Sequence, residues 1–513
     1  VSLAASIQDP PFAGCSPLFD GGAVRGADQA ATQNLGIPSV LLMERAGLAA
    51  TQVVLDRFGH VGAAIVVVGK GNNGGDGLVV ARHLDDAGWK VEVVAPRGGR
   101  PATPDGTTMA DIARRMGMPV GPLDPARLDG YLGVVIDALL GTGAKGPPTG
   151  ALKAAIRAIS RAAGPIVSLD VPSGVDADSG CTPGDAVDAD LTVTFHGDKV
   201  GLRVEPGRAM AGEVVVADIG IPSVVRLEHS AWLLGPGAAA AVPAKHPGGE
   251  KYGAGAVLVV AGSPGLTGAG CLTARATLRS GAGLTVAAVP ESVRADVTAH
   301  LVEVMTAGIP DESGAFGPSS VDPVMAEARR VGAVAVGPGL GRARATTAFV
   351  RKLVEGLALP LVIDADALWH LGELPAWLAD RGVPTILTPH AGEAARLLGM
   401  KRAEVEARRI LSATRLASAT GAVVVLKGPS TITAGPDGAI AVNSTGGPAL
   451  STAGTGDVLT GIIAAFLAKG MEPFAAAAVA TAVHGAAAHQ AGRGDGTIAG
   501  DLIDVLPEVL HTA

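Results

Sequence analysis

Val423-Val424-Val425-Leu426-Lys427-Gly428-Pro429 and, a loop and hairpin later, Thr452-Ala453-Gly454-Thr455-Gly456-Asp457 carry the fold assignment of this chain. The first run is short, β-branched and apolar, the pattern of a buried strand, and Gly428-Pro429 stops it. The second opens residues 458–467, whose apolar side chains recur at helical spacing. A glycine-rich turn at a helix start offers unpaired backbone N–H groups and the positive end of the helix dipole, which is an anion site. An aspartate there does not help to bind an anion. It serves better as a base, or as the group that steers a hydroxyl toward a phosphoryl group. Asp457 also reads as an ordinary N-cap, and the tetrapeptide alone leaves both open.

Outward from this stretch the chain is long. Its 513 residues are too many for one core, so two or three domains are expected. A net charge of -8 and no basic cluster argue against nucleic acid as a partner. Three cysteines, Cys15, Cys181 and Cys271, stand far apart and give neither a disulfide framework nor zinc spacing, which fits a reducing cytosol. Mean hydropathy is +0.38, yet the longest apolar runs, near 458–468 and 474–483, are separated by Lys469, Gly470, Glu472 and Pro473. Neither reaches the roughly 18 residues of a membrane span. The first basic residue is Arg25, so no charged signal-peptide region is visible. The expectation is a soluble cytoplasmic protein, a homo-oligomer, with no nucleic acid and no membrane among its partners.

Residues 1–20 have no period and read as a frayed extension. Residues 25–35 and 40–58 read as helices. Strands at 63–68, 90–94, 133–137, 166–170, 191–195 and 213–217 alternate with helices at 78–87 and 152–162, and residues 69–77 read as a glycine loop. Such alternation means a parallel sheet covered on both faces, with ligands at the carboxyl ends of the strands. The pattern breaks between about 218 and 249, placing a boundary near 229. Strands at 256–261, 284–289, 333–336, 361–364, 385–387 and 423–426 then start a second α/β domain.

Gly69-Lys70-Gly71-Asn72-Asn73-Gly74 matches the dinucleotide fingerprint, with Glu92 about 20 residues on. Two amides followed by Gly74-Gly75-Asp76-Gly77 suggest instead a polar ligand or an ion, and Glu92 sits in mid-strand. Asp137-Ala138-Leu139-Leu140-Gly141-Thr142-Gly143 and Asp170-Val171-Pro172-Ser173-Gly174 are further strand-end loops, so three strands deliver an acid and a turn to one rim. None of these loops continues as Gly-Lys-Ser/Thr, so no Walker A sequence is present.

These motifs, with Gly36-Ile37-Pro38-Ser39 and Leu42-Met43-Glu44-Arg45-Ala46-Gly47 before them, resemble the NAD(P)H-hydrate epimerase family over about residues 20–228. The resemblance implies a Rossmann-like three-layer domain, residues 1–228, that interconverts the R and S forms of hydrated NADH or NADPH. It implies that Asn72, Asn73, Gly74, Gly75 and Asp76, with Gly141, Thr142, Gly143, Ala144, Lys145, Gly146 and Pro147, hold the hydrate. Asp170 would be the catalytic acid/base near C6, and Asn73, Asp137 and Ser173 would bind K⁺. The family's second catalytic group is a lysine after the second strand. Pro96-Arg97 stand there, with Lys90 before the strand, so that group stays unplaced.

In the second half, Gly337-Pro338-Gly339-Leu340-Gly341 is a rigid turn after a strand, and Asp364-Ala365-Asp366 ends another in acids. Thr388-Pro389-His390-Ala391-Gly392-Glu393 follows a third. His390 and Glu393 lack a third metal ligand at a usual spacing, so a hydrogen-bonding histidine is the better reading. With Val259-Val260-Ala261-Gly262-Ser263 and Thr277-Leu278-Arg279-Ser280-Gly281-Ala282-Gly283, these motifs resemble the ADP/ATP-dependent NAD(P)H-hydrate dehydratase family. That implies a ribokinase-like α/β domain, residues 229–513. Gly270, Gly339 and His390 would touch the hydrate. Lys427, Gly428, Pro429, Ser430 and Thr431, with Thr452, Ala453, Gly454, Thr455 and Gly456, would surround the nucleotide, and Asp457 would be the catalytic base. Mg²⁺ is expected with ADP or ATP. A small-molecule kinase fused to a ligand-binding module, and a non-catalytic first domain, are the alternatives.

Overall fold

The computed structural model describes residues 11–246 and 248–511. The chain folds into two compact units, residues 17–231 and residues 11–16 with 232–511. The sequence boundary near 229 is close to this division, although residues 11–16 belong with the second unit. Residues 1–10 of the expected extension lie outside the described residues; beyond them Cys15–Leu18 is a strand.

The first unit carries a seven-stranded sheet in the order Gly121–Pro122, Lys90–Ala95, Ala63–Val68, Val134–Ala138, Ile166–Leu169, Leu191–Phe195, Glu213–Ala217. Every pairing is parallel. Strand side chains alternate between faces, so both faces are buried here. Val66, Val68 and Ile136 pack with Leu42, Met43, Val54 and Leu78, while Ile65, Val67 and Val135 pack with Ile156 and Ile159. Chain order reverses between Ala63–Val68 and Val134–Ala138, which marks the crevice where such sheets bind ligands.

Three local readings change. The 69–77 loop is helical from Asn72, the start of Asn72–Asp86. Its glycines are there for close packing: a Cβ at Gly74 would collide with the Gly69 carbonyl, and one at Gly77 would lie 2.5 Å from Ala138 Cβ. The first helix begins at Gly21, because Asp20 Oδ1 accepts the Ala23 N–H at 2.7 Å and caps it. A helix at Pro104–Arg115, absent from the sequence reading, has proline in its first turn and Thr103 as its cap.

The second unit holds an eleven-stranded sheet. From Met305–Ile309 at one edge it runs through Leu284–Pro290, Ala256–Val260, Ala333–Val336, Leu361–Ile363, Thr385–Leu387 and Val423–Leu426, all parallel. The hairpin Ile432–Ala434 and Ile440–Asn443 follows antiparallel, then Ala231–Leu234 and Cys15–Leu18. Met305–Ile309 and Ala231–Leu234 were not foreseen as strands; the first is only half-buried and the second lies in the Pro/Gly-rich stretch. One face is covered by Thr455–Ala468 and Pro473–Ala491, which bury Ile462, Ile463, Phe466, Val479 and Val483 against Val257, Val259 and Val425. Among the described residues no helix is long and apolar enough to cross a membrane.

Candidate active sites

A cavity of about 970 Å³ opens at the strand-order reversal of the first unit. Asn72, Asn73 and Asp76 line it from the helix start, Gly141, Thr142, Gly143 and Ala144 from the next strand's loop, and Asp170 from the third strand end. The three loops thus converge on one cavity, with Asp76 and Asp170 in its lining, whereas Asp137 does not reach the rim to which its spacing had assigned it. Asp170 sits at φ 66°, a region costly for a residue with a Cβ. It is over-determined there: its N–H donates to Val193 O at 2.7 Å, and Oδ2 accepts the Thr142 N–H at 3.0 Å. Oδ1 pairs at 2.8 Å with the Nζ of Lys199, whose side chain is 0% exposed and also donates to Phe195 O at 2.6 Å.

Below the rim, Asp137 is fully buried. Its Oδ1 accepts Ser173 Oγ at 2.7 Å and Leu139 N at 3.2 Å; its Oδ2 accepts Ser168 Oγ and Ser173 N, both at 2.9 Å. Burial still pushes its pKa up against those bonds. Asn73 Nδ2 donates to Leu140 O at 2.8 Å and Leu169 O at 3.1 Å, while Asn73 Oδ1 is buried without a partner among the described residues. Of the three residues that the resemblance assigned to K⁺, Asn73 thus keeps an acceptor oxygen open, of the kind a monovalent cation takes, whereas Asp137 and Ser173 are engaged with each other.

In the second unit, Lys427 Nζ pairs with Asp364 Oδ1 at 2.7 Å, and Thr460 Oγ1 donates to Asp364 Oδ2 at 2.6 Å. Asp364 is 1% exposed, and the Lys427 charge holds its pKa below the usual value despite burial. Asp364 and Glu393 raise the pKa of Lys427 in turn, against its burial. A Cβ placed on Gly456 would lie 3.4 Å from Lys427 Nζ, so the lysine faces the glycine turn. That turn starts the Thr455–Ala468 helix, with Gly454 as N-cap at φ 89°, a conformation glycine adopts without strain. Asp457 lies in the first turn and is not the cap. Burial and the Asp364 charge push its pKa up to about 7, partly offset by Lys427. His484, whose pKa burial lowers to about 4, bonds Thr455 O through Nε2 at 2.8 Å and fixes the turn.

His390 caps the Ala391–Leu398 helix: its Nδ1 accepts from Gly392 N at 2.9 Å and Glu393 N at 3.3 Å. Nδ1 as acceptor leaves the proton on Nε2, and the side chain is 60% exposed, available to a ligand. Glu393 Oε2 accepts in return from the His390 N–H at 2.8 Å, and burial pushes Glu393 up to about 7. Among the described residues no cluster of three or more His, Cys, Asp or Glu could hold a metal.

Comparison with known proteins covers both units. A family model described as NAD(P)H-hydrate dehydratase matches residues 257–508, and one described as YjeF-related protein N-terminus matches residues 39–201. The bifunctional NAD(P)H-hydrate repair enzyme of Moorella thermoacetica is 41% identical over 506 residues, 94% of each chain. The one from Salinibacter ruber is 38% identical over 527 residues, 96% of each chain. The chain belongs to the bifunctional NAD(P)H-hydrate repair enzyme family. A solved ADP/ATP-dependent NAD(P)H-hydrate dehydratase from Bacillus subtilis, co-crystallised with ATP and Mg²⁺, is 31% identical and covers 54% of this chain and 95% of its own, with a TM-score of 0.46.

As a bifunctional repair enzyme the chain joins two α/β units, the first built on an all-parallel sheet and the second on a mixed one. Membership favours repair over the sugar- or thiazole-alcohol kinase alternative and over a non-catalytic first domain. Not every residue implied by resemblance lines the cavity. Gly74 and Gly75 pack inside the helix instead. Lys145 turns to Asp176 at 2.9 Å and Asp178 at 2.5 Å, and Gly146 and Pro147 are not in the lining either. Glu92 pairs with Arg127 at 2.6 Å on the surface, away from any nucleotide role. In the second unit Gly339 O accepts Ser263 Oγ at 2.8 Å, and Gly270 is buried in the Thr267–Arg279 helix. Ser430 is buried with an unpartnered Oγ among the described residues, and Thr431 Oγ1 donates to Gly428 O at 3.0 Å. Pro429 and Ala453 are exposed, and Thr452 O accepts Thr455 Oγ1 at 2.9 Å. Sequence reasoning gave no role to Lys199, Thr460 or His484. A lysine four residues after the 191–195 strand was the one available signal for Lys199.

Proposed function

We propose that the first unit interconverts R and S NAD(P)H hydrate and that the second dehydrates the S form at the expense of ADP or ATP. One observation carries the second half: Lys427, held by Asp364, faces a helix N-terminus whose first turn carries Asp457. The C6 hydroxyl of the hydrate is a poor leaving group. Asp457 takes its proton, and the oxygen attacks the terminal phosphoryl group, releasing AMP or ADP. The ring nitrogen then expels the phosphate, C5 loses a proton, and reduced nicotinamide returns. Lys427 and the N–H groups at Gly454 to Gly456 neutralise the phosphoryl charge. Mg²⁺ bound with the nucleotide would screen the phosphate oxygens, and Asp457 and Glu393, the carboxylates whose charges act on Lys427 besides Asp364, would be the groups available to it.

In the first unit the carrying observation is Asp170, pinned by Lys199 at the cavity rim. It is the acid/base group at C6, in a pocket that shields the carbinol from bulk water. Asn73, Asp137 and Ser173 would hold K⁺, whose charge would help to fix the loops that carry them. The hydrates and the nucleotide are the partners, and a cytoplasmic setting, where reduced nicotinamides are spent, belongs to the same reading.

Recovery of reduced-nicotinamide absorbance in the near ultraviolet tests this. A mixture of R and S hydrates should regain it fully with enzyme, Mg²⁺ and ADP or ATP. Asp170→Ala should recover only the S portion rapidly. No recovery with either nucleotide would end the reading.

A further inference from the structure

The cavity of the first unit contains a carboxylate to which neither the sequence motifs nor the relatives' names give a role. Asp28 lies on Gly21–Gln33, whose Val24, Arg25, Asp28, Gln29 and Thr32 form a wall distinct from the strand ends. Val24, Ala27 and Ala31 are buried, the two alanines in the core of the first unit, and Asp20 caps the helix, so Asp28 is carried on a fixed element. Its Oδ1 is buried and without a hydrogen-bond partner among the described residues. Leaving a carboxylate oxygen unpaired costs stability, so its retention calls for a ligand-side explanation.

We propose that Asp28 is a second acid–base residue of the epimerase cavity, paired with Asp170 from another wall. The proposal rests on the epimerase reading above. The two carboxylates are set apart by their surroundings. Asp170 has both oxygens engaged, by Lys199 and by the Thr142 N–H. Asp28 has burial and the Asp170 charge against it, with Lys199 partly opposing, and titrates at about 6. Asp76 and Asp105 from the neighbouring helices add negative charge, Asp76 being pushed well above the usual range by burial; Arg25, Lys70 and Arg97 supply the positive side of the lining. Two carboxyl groups held in surroundings this different can divide the roles of acid and base. Arginine stays protonated in proteins, so Arg97 cannot exchange a proton. Asp28 can.

The step balances. Protonated Asp28 gives its proton to the C6 hydroxyl. The C6–O bond breaks as the ring nitrogen lone pair forms C=N⁺, and water departs. A water then adds to the opposite face of C6, and its proton goes to Asp170. Exchange with solvent returns both groups to their starting states.

Interconversion of purified R hydrate, followed by chromatography of the full-length chain, tests this. Asp28→Asn should slow it by about 10²–10⁴-fold, as for loss of a general acid. The pH dependence of kcat/KM for interconversion should show a limb near 6 in the wild type that is missing from Asp28→Asn and shifted but present in Asp28→Glu. Thermal unfolding should find Asp28→Asn at least as stable as wild type. A wild-type rate in Asp28→Asn would overturn the proposal, as would an unchanged limb near 6. A wild-type chain that cannot interconvert the hydrates would instead refute the epimerase reading, and this role with it.

Discussion

Lys199 Nζ and Asp170 Oδ1 lie 2.8 Å apart in the first unit, the lysine fully buried and the aspartate 13% exposed. The pair joins the end of one strand to a turn beyond the next, and it holds Asp170 in a left-handed backbone conformation that it would otherwise avoid. Lys199→Met therefore leaves a buried carboxylate without its counter-charge, a loss worth about 3–5 kcal/mol. Urea unfolding read by hydrogen exchange in residues 17–231 measures it, and hydrate interconversion should fall in parallel. A cost under about 1 kcal/mol would mean that water replaces the lysine and that the pair does not position Asp170.

Asp457 gives the second unit its pH dependence. Its pKa is raised to about 7 by burial first and by the Asp364 charge second. A base works only when ionised, so kcat/KM for S-hydrate dehydration should rise with pH and level off above about 7. Asp457→Asn should lose roughly 10²–10⁴-fold in turnover and lose that limb with it. A flat profile across neutrality in the wild type would remove Asp457 from the role of base.

Gly456 separates folding from function. It is inside the Thr455–Ala468 helix at negative φ, and an added Cβ would make only an ordinary contact, 3.4 Å from Lys427 Nζ. Alanine is the better helix former by about 0.5–1 kcal/mol. Gly456→Ala should thus be as stable as wild type or more so, yet raise the nucleotide KM, because the methyl occupies the space between the lysine and the helix mouth. Calorimetry and steady-state kinetics on the same preparation decide it; an unchanged KM would place the phosphates elsewhere.

The β-branched runs made both sheets legible before the structure, since strands buried on both faces have no polar side to hide. The glycine turn at 454–456 was legible for the same kind of reason: its backbone requirement is written in residue type. The Asn72–Asp86 helix start was misread because its glycines serve close packing against Gly69, Met43 and Ala138, a tertiary demand that looks like loop chemistry in one dimension. Lys199 and Asp28 were missed because each acts across distant sequence, and nothing local distinguishes them from surface charges. Lys145 shows the converse: placed at the site by its motif, it is drawn off by Asp176 and Asp178.

Asn73 supplies the last prediction. Its Nδ2 is fully used on Leu140 O and Leu169 O, and its Oδ1 is buried without a partner among the described residues. A cation that binds only the folded state stabilises it by RT ln(1 + [L]/Kd), about 1.4 kcal/mol at tenfold excess. The unfolding midpoint of residues 17–231 should therefore rise when choline chloride is exchanged for KCl at equal ionic strength, and hydrate interconversion should rise with it. Asn73→Ala should be less stable in both salts, from the loss of its two amide bonds, and should show no difference between them. Equal midpoints for the wild type in the two salts would leave the orphaned oxygen without a cation and remove K⁺ from the site.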